Sequence, residues 1–309
     1  MKKKYPISSE FFPLNVFTPV IDKRAIALMN RLYHMPKSLY DDPSMSIRSV
    51  MIPGYEGGEI ELKLFEPAGM ERPAPCFLYI HGGGFVFGGA SSHYRHAVAY
   101  SKGAGCVTAF VEYRLAPEHT FPCQQEDCYA AFMWLHDHAE ELGIDPDRIG
   151  VGGGSAGGML SVTTCLMARD RGSGAKPLFQ LLAYPFLDAR NSSDSARRYT
   201  DTPMWNSTLS VQVGPLINPD GDAVPLELRS PAEAESLEGM PPAYIEVAEF
   251  DPLRDDGILY CRRLKEAGIE TEFHDTIGTM HGYDFVLSAP TTIRMEERRI
   301  DYMKRQFNR

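Results

Sequence analysis

Gly153-Gly154-Ser155-Ala156-Gly157 reads G-x-S-x-G between a short apolar run, residues 149–151, and a helix-forming stretch that starts at Ala156. A serine that attacks a substrate from such a place sits on a strand-to-helix turn so tight that residues two before and two after it have no room for side chains. Gly153 and Gly157 meet that demand. The same stretch also satisfies G-x-G-x-x-G as Gly152-x-Gly154-x-x-Gly157, the dinucleotide fingerprint. That fingerprint wants an acidic residue at the end of the next strand, roughly 20 residues on. Asp170 and Arg171 still lie in the helical stretch, and the first acid past the next strand, Asp188, comes late. The nucleophile is therefore the favoured reading.

A serine hydroxyl is barely nucleophilic at neutral pH, so acyl transfer needs a base, an orienting carboxylate and a site for the oxyanion. His81-Gly82-Gly83-Gly84-Phe85 follows the apolar run 76–80, where consecutive amides without side chains can approach a developing oxyanion closely. A further donor is the N–H of Ala156, after the serine and at a helix N-terminus whose dipole favours negative charge. Asp251 comes after the strand-like run 243–248, and His281 after the strand-like run 270–275. The order Ser, Asp, His then places each group at the C-terminal end of a parallel strand, where loops converge. Asp255, Asp256 and Glu249 compete for the acid, and His274 for the base. His93-x-x-His96 and His136-x-His138 have spacings a metal could use, but no cysteine or second cluster completes either set. Neither a metal nor a cofactor is expected.

The elements that must position these residues alternate from about residue 48. Strand patterns at 47–52, 59–65, 76–80, 106–113, 148–151, 178–184, 243–248 and 270–275 are interleaved with helix patterns at 93–104, 124–142, 156–169, 256–267 and 291–306. Such alternation implies an α/β fold with a mainly parallel sheet covered on both faces. Two segments break the rhythm. Residues 1–45 carry Phe11, Phe12, Val16, Phe17, Ile21 and Ile26 among polar residues, and about 189–225 is rich in Ser, Asp, Pro and Asn yet carries Met204, Trp205, Leu209 and Val213. Excursions of this kind on an α/β core are candidate caps, which divides the chain into a cap segment, 1–45, and a catalytic domain, 46–309, with a cap insertion at about 189–225.

With 309 residues, 43% of them hydrophobic, the chain can bury a sizeable core. A net charge of −10 argues against nucleic acid or an anionic membrane surface as partner, since phosphate binding needs a clustered positive field. Met1-Lys2-Lys3-Lys4 resembles the start of a secretory leader, but Pro6, Ser8, Ser9, Glu10 and Pro13 interrupt any apolar stretch after it. No apolar run is long enough to span a bilayer. Six scattered cysteines without a C-x-x-C pair read as reduced core thiols, consistent with the cytoplasm. A homo-oligomer is compatible with these properties.

Taken together, His81-Gly82-Gly83-Gly84-Phe85, Glu112-Tyr113-Arg114-Leu115-Ala116-Pro117-Glu118-His119, Gly154-Ser155-Ala156-Gly157-Gly158, Asp251-Pro252-Leu253-Arg254-Asp255 and His281-Gly282-Tyr283 resemble the hormone-sensitive-lipase-like (family IV) esterases of the α/β-hydrolase superfamily, over about residues 75 to 285. The resemblance implies an α/β-hydrolase fold with a helical cap and a carboxylesterase acting on short- to medium-chain acyl esters through an acyl-enzyme. Ser155 would be its nucleophile, Asp251 and His281 its partners, and the amides of Gly83 and Gly84, with Ala156, its oxyanion hole; Gly82 is the lesser candidate there. Phe85, Trp205 and Tyr283 are the expected substrate contacts, and Arg114 and Glu118 are expected to brace a loop under the site. An amidase or peptidase on small substrates is the alternative within the same chemistry. A non-catalytic binding protein resembling the plant gibberellin receptor, which has lost the histidine, is the alternative outside it; here His281 is present. The chain departs from the family in carrying Gly154 where an acid usually precedes the serine, and Tyr283 where Phe is frequent.

Overall fold

Strands whose side chains alternate Phe77, Tyr79 against Cys76, Leu78, Ile80 have two apolar faces, and such strands are stable only when both faces are covered. In the computed structural model, which describes residues 4–32 and 42–309, this run is β3 (Ala74–Ile80), near the middle of one eight-stranded sheet. The strands are β1 (Met45–Pro53), β2 (Glu59–Pro67), β3, β4 (Val107–Glu112), β5 (Ile144–Gly154), β6 (Gln180–Ala183), β7 (Ala243–Phe250) and β8 (Thr271–Met280), in the spatial order β1-β2-β4-β3-β5-β6-β7-β8. β2 runs antiparallel to both β1 and β4, and every other pair is parallel. β1 and β8 take the edges, and they bury a smaller share of their side chains than the strands between them.

On one face α2 (Ser91–Ala104) packs on α10 (Pro290–Phe307), over an aromatic core of Phe77, Tyr79, Tyr100, Phe110, Phe179 and Tyr302. The other face is covered by α3 (Cys123–Asp137), α5 (Ala156–Asp170) and α9 (Arg254–Glu266), over mainly aliphatic cores that include Leu78, Ile80, Val151, Leu160, Ile245 and Leu264, with Phe132 among them. The helix pattern read as 124–142 is interrupted at His138, whose ring stacks on Trp134 at 4.4 Å and whose Nδ1 donates to the Trp134 carbonyl; a short α4 (Ala139–Leu142) follows. All six cysteines are buried and unpaired, and among the described residues no helix is long and apolar enough to cross a membrane.

Two excursions lie over the C-terminal strand ends. One holds α6 (Asp194–Arg198), α7 (Ser207–Ile217) and the one-turn α8 (Leu226–Arg229). Asn206 starts α7 by accepting from the N–H of Leu209, an N-cap bond. The other is the N-terminal segment with α1 (Lys23–Leu32). They meet where the Met204 amide donates to the Phe17 carbonyl at 2.6 Å. Asn30 on α1 ties this segment to the loop after β3 by donating to the Val86 carbonyl and accepting from the Gly88 amide. Residues 33–41 of the expected cap segment lie outside the described residues.

Candidate active site

Three strands stop one residue short of a group that can do chemistry. β5 ends at Gly154 before Ser155, β7 at Phe250 before Asp251, and β8 at Met280 before His281. The runs read as 243–248 and 270–275 are thus longer in the structure, with irregular register near the end of the β7–β8 pair and Gly278 at φ 70°. This extension carries Asp251 and His281 directly to the strand ends.

Ser155 sits at φ 57° and ψ −121°, a strained conformation for an L-residue. Its neighbours hold it there: the Ser155 amide donates to the Ala183 carbonyl, and the Ser155 carbonyl accepts from Phe186 and Gly158. The steric demand read from the motif is real. A Cβ added at Gly153 or Gly157 would stand 2.1 or 2.0 Å from the Ile80 carbonyl oxygen. From this turn Ser155 Oγ lies 2.8 Å from His281 Nε2, and His281 Nδ1 lies 2.8 Å from Asp251 Oδ2. Because a carboxylate oxygen accepts, the ring proton belongs on Nδ1, which leaves Nε2 as acceptor for the serine hydroxyl. Asp251 is wholly buried, and its other oxygen accepts from the Leu253 amide.

The competing groups are engaged elsewhere. Asp255 accepts from the Ser195 amide, Glu249 from the Gly278 amide, and His274 pairs with Glu272. Burial, reinforced by Asp188, Asp251 and Asp255, pushes the Asp256 carboxyl up to about 8, against a bond from Ser193. Among the described residues no group of three His, Cys, Asp or Glu is arranged to hold a metal ion. Arg114 forms a fork with Asp127 under the site.

The glycine run after β3 turns beside Ser155, with Gly83 at φ 120° and Gly84 at φ 59°. Glycine is required by space as well as by φ: a Cβ on Gly84 would meet Trp205 Cη2 at 2.6 Å, and one on Gly82 the Gly154 carbonyl at 2.9 Å. No carbonyl or side chain among the described residues accepts from the amides of Gly83, Gly84 or Ala156. These features open onto a cavity that is lined by Ser155, His281, Phe17, His93, Met204 and Trp205 among others.

Two expected substrate contacts lie elsewhere. Phe85 packs edge-to-face against Phe121 and Phe186 in the aliphatic core, because the turn at Gly83 and Gly84 swings its side chain inward. Tyr283 is wholly buried, and its hydroxyl donates to Glu246 at 2.6 Å. Trp205 does line the cavity, with its ring 6.3 Å from that of His281 and its Nε1 donating to Ser210. Tyr184 was not singled out from the sequence, although it directly follows a strand. It fills the space beside Gly154, where a Cβ would stand 3.1 Å from its ring, and it meets the His281 ring at 5.0 Å. Its hydroxyl donates to Asp284, which Arg299 also binds at 2.8 Å. Arg299 is 1% exposed and bridges Asp284 to Glu246, while His96 joins from α2 by way of the Asp284 carbonyl and Glu296. Burial pushes the Asp284 carboxyl up, but the charges of Arg299 and His96 outweigh it and hold that carboxyl down at about 2.

An eight-stranded sheet with a single antiparallel intrusion, and a serine on a strained turn after its fifth strand, define an α/β-hydrolase fold. The profile of the family described as alpha/beta hydrolase fold matches residues 77–285, and the chain belongs to that family, in its hormone-sensitive-lipase-like branch. It is similar to Carboxylesterase NlhH of Mycobacterium tuberculosis, with 38% identity over 82% of this chain and 81% of the relative. Esterase LipI of the same organism is 36% identical over 85% and 82%. Among solved structures, the Bacterial Heroin Esterase superposes with a TM-score of 0.88 at 36% identity over 98% of each chain.

Proposed function

We propose that this protein is a carboxylesterase in which Ser155 is the nucleophile, His281 the general base and acid, and Asp251 the group that orients His281. The observation that carries this reading is the unbroken chain from Ser155 Oγ through His281 to Asp251, at 2.8 Å for each link, beside three amides with no acceptor among the described residues. The relatives named carboxylesterase and esterase support the same chemistry. Ser155 Oγ attacks the ester carbonyl as its proton passes to His281 Nε2, and Asp251 stabilises the imidazolium. The amides of Gly83, Gly84 and Ala156 receive the oxyanion, at a helix N-terminus that favours negative charge. His281 then protonates the leaving alcohol and activates a water that releases the acyl group.

Segments 1–45 and 189–225 act as the cap, and together with Trp205 they restrict the acyl group to short and medium chains. The bond between Met204 and Phe17 beside a mostly apolar cavity supports that part. Hydrolysis of p-nitrophenyl esters from acetate to decanoate, beside Ser155→Ala, tests the whole. Serine-dependent turnover that falls with chain length is expected, with fluorophosphonate labelling at Ser155. Turnover unchanged in Ser155→Ala would overturn the reading, and a flat chain-length profile would remove the cap's share of it.

A further inference from the structure

Among the described residues that line the cavity beside Ser155, three side chains carry polar groups outside the acyl-transfer chain, and those of Tyr184 and Trp205 are already engaged with Asp284 and Ser210, which leaves His93. His93, at the start of α2, lines it and is 6% exposed. Its Nδ1 accepts from the Ala90 amide at 3.0 Å, which ties up the lone pair on that nitrogen. The ring therefore carries its proton on Nε2. Burial, with His81 and His96 adding like charge, pushes the imidazole down to about 3, so this tautomer persists throughout the neutral range.

The Nε2–H has no hydrogen-bond acceptor among the described residues, and that nitrogen is not among the side-chain atoms sealed from solvent without a partner. Phe285, which lines the same cavity, meets the imidazole edge-to-face at 5.0 Å. An aromatic face is a second-order acceptor and leaves most of the hydrogen-bonding capacity of an N–H unused. Helix capping alone accounts for Nδ1 but not for a fixed donor presented to an otherwise mostly apolar cavity. An alkyl ester that dries the cavity would leave that donor desolvated and unpaired, whereas an ester with an oxygen at that point would satisfy it.

We propose that His93 is a substrate-binding residue whose Nε2–H recognises an acceptor oxygen outside the scissile ester group, so that the preferred substrates are oxygenated esters rather than plain alkyl ones. This rests on the esterase reading above. Shape-matched pairs test it: p-nitrophenyl pentanoate against p-nitrophenyl 3-methoxypropanoate for the acyl side, and butyl acetate against 2-methoxyethyl acetate for the alcohol side. Rates with hydroxide alone correct for intrinsic reactivity. In one of the two pairs the native enzyme should favour the ether in kcat/KM by about tenfold, and His93→Phe, which keeps a flat ring and removes the donor, should abolish that ratio. If His93→Phe does not fold, the native ratios still decide. No ether preference in either pair, or a preference that survives in folded His93→Phe, overturns the proposal while Ser155-dependent turnover leaves the esterase reading standing. Absence of Ser155-dependent turnover on all four esters overturns both.

Discussion

The short loop after β8 serves two buried polar chains with opposite ends. His281 links Asp251 to Ser155, while Asp284, three residues later, links Tyr184 to Arg299 and on to Glu246. The Arg299 chain is closed: its guanidinium donates to two carboxylates and to the Tyr100 hydroxyl, 1% exposed in the space between sheet and helices. The His281 chain is left open at one end, where the serine oxygen meets the cavity. A buried charge with all its partners present is a brace, and replacing one partner leaves the others uncompensated. A chain that ends on an oxygen at a cavity can pass its proton along when a substrate binds there.

Breaking the open chain should cost chemistry and spare the fold. Ser155→Ala is expected to lower kcat by roughly 10⁴- to 10⁶-fold, with the urea midpoint little changed; rates and denaturation on the same preparation check this. Asp251→Asn should follow at about 10⁴-fold, because an amide facing His281 Nδ1 favours the wrong ring tautomer. Breaking the closed chain should do the reverse. Arg299→Met leaves Glu246 and Asp284 without their cation and should destabilise the fold by about 3–5 kcal/mol in equilibrium unfolding. Fluorophosphonate labelling of Ser155 in whatever remains folded should be slowed far less than by Asp251→Asn. A stable Arg299→Met with dead Ser155 would erase the distinction between the two chains.

The smallest expected effect sharpens the contrast through a third carboxyl. Asp284 has Arg299 and is held down at about 2; Asp256 is nearly as buried, forms no ion pair among the described residues, and is pushed up to about 8. An unfolded Asp256 ionises near its ordinary value, whereas the folded one keeps its proton until about pH 8. Unfolding between these limits releases a proton, so this residue's contribution is fully present below about pH 4 and lost as pH rises to 8. Asp256→Asn should therefore flatten the decline in stability between about pH 4 and pH 8, as measured by thermal unfolding across pH.

Chain chemistry alone determined a good deal. A serine between glycines, a glycine triplet after one apolar run, and Asp251 and His281 after two others were legible because strand alternation and the steric demands of a tight turn act over a few residues. The mainly parallel sheet followed from strands separated by helices. Tertiary structure decided the rest. Asp251, rather than Asp255, Asp256 or Glu249, reaches His281 because β7 and β8 extend to the residues just before the pair. Phe85 and Tyr283 turn into the core because a left-handed turn and a buried glutamate direct them there. His93, noticed only for a metal-like spacing, enters the cavity by the placement of α2, and Arg299 finds Glu246 across 53 residues of chain. Contacts over such distances depend on how layers pack, which local pattern does not encode.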